Sequence, residues 1–571
     1  MTVRPNSTLI SRLLRRAAAL PLNGWVLASL CAIYLLAGLL GHDPWKNDDA
    51  IHFGVAYGFL DRGQWLVPHL AGEPFLETPP LYYWVAAICA KLFGSLLPLH
   101  DAVRLASGLF GAIFLGLLAY AGKLMQQQAG DERKQLDEAA RDETGKAAIL
   151  IAIGCLGLLV PIHDTQPLIA LLAASAATYA GLSLLTRNPG AGGLIAGVGL
   201  GLGFLSSGLL ALITLALLLL LLPLSSHWRQ PSSLRGLAIA VATAIPLCLS
   251  WPLLLAWQAP DMFNAWWSTS LGGLRWQANW LKLLPDFIEL LAWFAWPAWP
   301  LALWALWINR RRLGQPAVLL PLVGSLTALL NLVMLGEPRP LHALPLLVPL
   351  ILLAASSVSR LRRGANSAFD WFGMMTFTIV AGLIWLGGIA MTSGIPQQIA
   401  HNFAKLQPGH IAHFSTPAYA FAALLSLAWC WLIATSERSP WRAATNWAAG
   451  MTVAWGLLMA LWLPWIDYGK SYRDVAASLK QAIANNSRDT QQSCIAGLHL
   501  GSAQRVSLQY FEKITTRRES PAKTSCPLLL EQGSQRNSIV PVGWRKVWEG
   551  HRPGDRSETL RLYRQENVRA R

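Results

Sequence analysis

The sequence predicts a polytopic α-helical membrane protein. Of its 571 residues, 54% are hydrophobic and only 13% are charged, and the mean hydropathy is +0.39. Many runs approach the roughly 20 apolar residues that cross a bilayer. A chain of this length could hold several soluble domains, but that composition excludes them for most of it. The surplus of 46 Lys+Arg over 30 Asp+Glu would suggest nucleic acid in a soluble protein. Here it fits the retention of Lys and Arg in short cytoplasmic loops, and neither basic pool is interleaved with aromatics as nucleic-acid binding requires.

The basic arm with Arg4, Arg12, Arg15 and Arg16 precedes the apolar run Trp25–Leu40, which lacks a cleavage pattern and reads as a first span leaving the cytoplasm. The polar loop 42–100 is then external. Its segment 80–98 reads as a helix lying at or dipping into the interface, with a full span as the alternative. Further spans are expected at Val103–Met125, Ala147–Ile162, Pro167–Leu185, Gly192–Leu205 and Leu209–Leu224. Others follow at Leu237–Trp257, Phe287–Trp307, Ala317–Leu335, Ala343–Ala355, Phe372–Met391, Ala418–Ile433 and Thr452–Trp465, for about thirteen in all. With that count Arg187, Arg229, Arg235, Arg310–Arg312, Arg360–Arg363, Arg438 and Arg442 all fall inside, as positive charge should.

The expected domains are a transmembrane unit, 1–465, and an external C-terminal α/β unit, 466–571. The tail has 18 Lys+Arg against 10 Asp+Glu. Tyr472–Ala484 has helical periodicity, while SIVPVGWRKVWEG and ETLRLYR alternate as strands do. Its basic surface suits anionic headgroups; a solvated cap is the other reading. Cys31, Cys89, Cys155, Cys248 and Cys430 lie in apolar runs as small hydrophobes. Cys494 and Cys526 both fall in the tail and are a candidate disulfide in an oxidising compartment.

The spans carry almost no charge at mid-depth, where it would mark a transport path. The ionisable residues collect at external helix ends: Asp48, Asp49, Glu77, Arg104, Asp164, Arg275, Glu337, Arg339 and His342. Such a set suits group transfer from a lipid phosphate. A carboxylate can take a proton from an acceptor hydroxyl. Cations or a divalent metal, for which Asp48 and Asp164 are candidates, can neutralise charge on the departing phosphate.

The loop Trp45–Trp84 contains Asp48-Asp49, then Gly63-Gln64-Trp65-Leu66-Val67-Pro68-His69-Leu70, then Phe75-Leu76-Glu77-Thr78-Pro79-Pro80-Leu81. These motifs resemble the first external loop of the lipid A aminoarabinose transferases, in glycosyltransferase family 39. Those enzymes are relatives of the protein O-mannosyltransferases and share the multispanning GT-C fold. Val103-Arg104-Leu105, His163-Asp164 before Pro167, the corner Phe204–Gly208, Arg275-Trp276 and Arg339–Pro345 resemble later motifs of the family.

The resemblance implies an inner-membrane glycosyltransferase with a cytoplasmic N-terminus. It would use a polyprenyl-phosphate sugar as lipid co-substrate and a lipid, glycan or protein acceptor, lipid A-type first, at the periplasmic face. It makes Asp48 the catalytic carboxylate, with Asp49 beside it, and Asp164 a positioner of acceptor or metal. Arg104, Arg275 and Arg339 become donor-phosphate ligands, and His52, Glu77, His163 and His342 line the loop and position substrate. The sequence departs from the family at Thr78 and Ser207, where the family has lysines, at Asp49 for Glu, and at His52 for Tyr; Lys46 or His52 are the candidate replacements. A flippase of lipid-linked sugar and an inactive scaffold of the family are the rival readings.

Overall fold

The computed structural model describes residues 24–127, 136–272, 280–336, 338–436, 439–486, 494–533 and 540–566. Each of the thirteen predicted segments overlaps helix, although Ala147–Ile162 is broken at Cys155, between Leu136–Gly154 and Leu156–Leu159. Among the described residues eight helices are long and apolar enough to cross a membrane by themselves, and a ninth is counted if a bent pair is one span. Four shorter apolar helices accompany them: Gly24–Leu36, Leu81–Phe93, Leu209–Leu224 and Pro340–Ala355. The chain is a membrane protein.

The bent pair corrects one expectation. Phe287–Trp307 is not one straight span but two helices, Leu281–Phe294 and Ala298–Ile308, meeting at 96°. Pro297 sits at the break, where it supplies no amide hydrogen and pushes its predecessor out of helical geometry. The inner spans pack through small residues: Gly181, Gly193, Gly197 and Gly199 meet neighbouring backbone so closely that a Cβ would fall 2.3–2.5 Å from a neighbouring atom. Without a hydrophobic drive between helices in lipid, such close approach is what holds spans together.

The first loop is built of α1 (Asp48–Arg62), a short hairpin of β1 (His69–Leu70) and β2 (Glu73–Pro74), and α2 (Leu81–Phe93). At thirteen residues α2 is about 20 Å long, short of a full crossing, in line with an interfacial helix. The chain then enters the span α3 (Leu99–Gln127). Phe53, Tyr82, Tyr83, Val103 and Ala106 form the core beneath the loop.

The last long helix, α4 (Arg442–Lys470), runs five residues past the expected boundary at 465. It is followed by α5 (Arg473–Asn486), β3 (Ile495–Leu498), α6 (Ser502–Glu512), β4 (Arg517–Arg518), β5 (Leu528–Gly533), β6 (Trp544–Arg552) and β7 (Asp555–Gln565). The sheet order is β4-β3-β5-β7-β6, with β3 parallel to β4 and β5 and the rest antiparallel. Helix α5 and strands β6 and β7 fall where the periodicity put them; β3, β5 and α6 were not anticipated. Cys494 and Cys526 are joined, with S–S 2.06 Å, and tie β3 to the start of β5.

This C-terminal unit sits directly on the first loop. Gly54 of α1 and Val506 of α6 approach so closely that a Cβ at 54 would lie 2.4 Å from the valine. Tyr510 packs edge-on against Phe53 at 4.7 Å. Arg505 reaches Glu73 at 2.7 Å, and Lys46 reaches the buried Glu558 at 2.6 Å. The tail is thus a structural partner of the loop.

Candidate active site

Asp48 and Asp49 open α1, where the amide-rich helix N-terminus favours carboxylates. Neighbours on a helix point about 100° apart, so the two acids have different surroundings. Asp49 turns inward and is buried. It accepts hydrogen bonds from the amides of Trp45 (2.9 Å) and Thr165 (2.8 Å) and from the Arg104 guanidinium (3.4 Å). Burial alone would raise its pKa, but Arg104, His42 and the two amides outweigh burial and hold the Asp49 carboxyl down at about 2.

Arg104 is wholly buried. Besides Asp49, it donates to Asp101 (3.0 Å) and to the carbonyls of Leu39 (3.2 Å) and His42 (3.3 Å). The expected role as a donor-phosphate ligand is corrected by this geometry. Its charge is consumed inside the protein, where it joins the first span, α1 and α3.

Asp48 faces the opening and is exposed. Partial desolvation raises its carboxyl, while Arg339 and His342 pull it down. Glu77 is raised in the same way by partial desolvation, with Arg339 pulling down and Asp48 pushing up. Asp164, half-buried beside Thr165, is pushed up to about 8, first by burial and then by the charge on Asp49, against the pull of Arg104 and Lys470. These charges act on one another as a linked set: Arg339 and His342 on Asp48, Arg339 and Asp48 on Glu77, and Lys470 and Asp48 on Asp164. The exposed face at Asp48 and Glu77 is the opening of the site. Arg275 and Glu337 lie outside the described residues.

His163 does not face that opening. Its Nδ1 and Nε2 lie 2.6 Å from the carbonyls of Leu159 and Tyr34, so it braces the end of the first span instead of positioning substrate. His52 is turned into the loop: its Nδ1 lies 2.8 Å from the Tyr83 hydroxyl, and burial lowers its pKa to about 4, leaving it neutral. The Thr78 hydroxyl meets the same Tyr83 oxygen at 2.6 Å. A neutral Thr78–Tyr83–His52 chain thus stands where the family resemblance expects a lysine. The corner at Ser207 lies close by: a Cβ on Gly208 would come within 3.5 Å of Pro79. Lys46 is paired with Glu558 and does not replace either lysine.

Sequence reasoning missed the opposite wall, made by residues 467–473. Asp467 Oδ1 accepts from the Asp43 amide (2.9 Å) and from the Trp45 indole (2.8 Å). Asp43 in turn takes Ser471 (2.6 Å) and the Arg473 guanidinium. Lys470 lies over the Trp45 ring, 4.2 Å from its centroid. Only the Asp101–Arg104 spacing, one helical turn apart, could have signalled any of this beforehand.

An apolar cavity of about 830 Å³ is lined by Trp293, Trp296, Trp299, Phe377, Trp447 and Trp455 among others. A second of about 450 Å³ shares Leu156 and Trp293 with it and continues to Pro338 and Pro340, with the carboxylates of Asp286 and Glu289 also in its lining. Among the described residues no three His, Cys, Asp or Glu side chains gather as metal ligands, and both oxygens of Asp49 are already engaged.

No family model matches the chain. It is similar to the undecaprenyl phosphate-alpha-4-amino-4-deoxy-L-arabinose arabinosyl transferase of Pseudomonas savastanoi pv. phaseolicola, 27% identical over 453 residues, covering 76% of this chain and 77% of that one. The transferase 1 of that name from Sodalis glossinidius is 30% identical over 248 residues, 42% of this chain and 41% of that one. Among solved structures, ArnT from Cupriavidus metallidurans bound to undecaprenyl phosphate superposes with a TM-score of 0.64 at 16% identity, covering 94% of this chain and 98% of that one. The chain has the GT-C fold. The resemblance read from the first loop therefore extends along almost the whole molecule. Within this GT-C frame the first loop and the C-terminal unit close over the same end of the helices.

Proposed function

We propose that this protein is a glycosyltransferase of the inner membrane that moves a sugar from a polyprenyl-phosphate carrier to an acceptor at the periplasmic face. Undecaprenyl phosphate is the leading carrier and a lipid A-type molecule the leading acceptor. Thirteen spans, a cytoplasmic N-terminus and a periplasmic C-terminal unit complete the reading. The observation that carries it is the exposed Asp48 at the start of α1, held next to the buried Asp49–Arg104 pair, in a chain that also has a large apolar cavity among its helices. A lipid tail would occupy the apolar cavity, and its phosphate would lie beside Arg339 or Lys470, whose charges act on the carboxylates of the site.

In the transfer, an acceptor oxygen attacks the anomeric carbon of the sugar. The bond from that carbon to the carrier phosphate breaks, and the phosphate leaves with the electron pair. Asp48, in its ionised form, takes the proton of an acceptor hydroxyl; an acceptor that is itself a phosphate needs no base, and Asp48 then orients it. Asp49 stays charged and paired with Arg104, fixing the start of α1.

Asp48→Asn is expected to lower transfer from a radiolabelled polyprenyl-phosphate sugar by about a hundredfold or more, with expression and membrane insertion unchanged. Because desolvation holds the Asp48 carboxyl above its ordinary value, the base form is lost as pH falls through that raised value. Wild-type rate should therefore show an acid limb that the residual activity of the variant lacks. Full activity in Asp48→Asn sinks the assignment. Movement of unmodified donor across the membrane, without transfer, would establish the flippase reading in its place.

A further inference from the structure

The cations around the opening have different commitments. Lys46 is paired with Glu558 and Arg505 with Glu73. Arg104 is buried between Asp49 and Asp101, and Arg473 grips Asp43. Lys470 differs from all four. It is exposed, and among the described residues it makes no salt bridge within 4.0 Å.

Its surroundings are nevertheless ordered. The Lys470 ammonium rests on the face of Trp45, a cation–π contact that uses one side of the charge. Trp45 is itself pinned through its indole to Asp467. Arg552 donates to the Lys470 carbonyl at 3.3 Å, fixing the backbone from the C-terminal unit. The charge of Lys470 acts on Asp164 and that of Arg339 on Asp48 and Glu77. Lys470 thus acts on one of the carboxylates and Arg339 on the other two, offsetting negative charge that would otherwise repel an anion.

We propose that Lys470 binds the phosphate of a lipid-linked substrate, supplying from the end of α4 a positive charge at a site whose loop and corner carry Thr78 and Ser207. The inference rests on the transferase reading above. A lysine ammonium has three donors and carries its charge on a flexible stem; with one face on Trp45, its remaining donors are open to phosphate oxygens. The phosphate is either that of the carrier or one on the acceptor lipid, and the two are separable by kinetics.

The test uses the full-length protein in nanodiscs, as wild type, Lys470→Gln and Lys470→Arg. Michaelis constants are measured separately for donor and acceptor, binding of undecaprenyl phosphate alone is followed by native mass spectrometry, and thermal stability is recorded for each. Lys470→Gln should raise the donor KM about tenfold, in keeping with loss of one charge-assisted hydrogen bond, while kcat changes less. Lys470→Arg should restore it to within about threefold. A rise confined to the acceptor KM supports the same phosphate site and assigns it to the acceptor. Unchanged KM values and unchanged binding, with or without a fall in stability, overturn the proposal, because a lysine that only closes a helix C-terminus or packs on Trp45 gives that result. If wild type binds undecaprenyl phosphate through Lys470 but transfers nothing, the transferase reading fails and the phosphate site stands.

Discussion

Two walls of the site touch each other, and they are made from opposite ends of the chain. The first-loop wall carries Asp48, Glu77 and, behind them, Asp49. The wall at 467–473 carries Asp467, Lys470, Ser471 and Arg473. The first presents side chains to the opening; the second mostly holds backbone and rings of the first in place, through Asp467 to Trp45 and Arg473 to Asp43. Reactive groups and the groups that orient them are thus supplied separately, and a change to one should read out differently from a change to the other.

Asp49→Asn is the most severe way to break that division. It leaves the buried Arg104 with one counter-charge fewer, and removing one member of a buried pair costs about 3–5 kcal/mol. Folded, detergent-stable protein should fall sharply, in contrast to Asp48→Asn next to it, which should remain folded but inactive. If the two neighbours behave alike in size-exclusion yield and melting temperature, their separation into inward and outward roles is wrong.

Asp467→Ala tests the second wall. It removes the acceptor for the Asp43 amide and the Trp45 indole, and should lower kcat about tenfold by loosening the segment that leads into α1. Asp467→Asn keeps a carbonyl oxygen that can accept both bonds and should remain within about threefold of wild type. Equal losses in the two variants would mean that the charge, and not the hydrogen bonding, matters.

Arg505→Ala should have the smallest effect on transfer. It removes a buried guanidinium that holds Glu73, which keeps Arg518 at 3.2 Å, and the carbonyls of Ala71 and Thr516, so the loss falls on the seating of the C-terminal unit and is worth about 1–3 kcal/mol. A modest fall in melting temperature with transfer within twofold of wild type is expected. A large loss of transfer would show that the α6 contact controls the site and does not merely seat the unit.

The legible and illegible parts of the molecule divide along the same line. Apolar runs and loop charges are local signals, so every predicted span overlaps helix, broken in two places. The motifs around Asp48 and Glu77 are contiguous, and they led to the GT-C fold. The break at Pro297 and the inward turn of His163 depend on neighbours in space. The brace is hardest to read: Asp467 contacts Trp45 across 422 positions, through residue types common at any helix end. Helix α6 was missed because Ser502–Glu512 has little apolar content outside the face that meets α1. Arg104 was misread for a related reason. An arginine at a helix start next to a loop looks available until Asp101 and Asp49 are seen to close on it.

The contact from Lys46 to Glu558 joins residues 512 positions apart. At typical synthesis rates of about 5–20 residues per second, that separation takes roughly half a minute to two minutes to produce. During that interval the loop exists without this tie, and a chain stopped between Arg473 and Glu558 carries the brace at 467–473 but never gains the tie to the sheet. Chain order thus puts the final seating of the loop on the C-terminal unit after every span has been made.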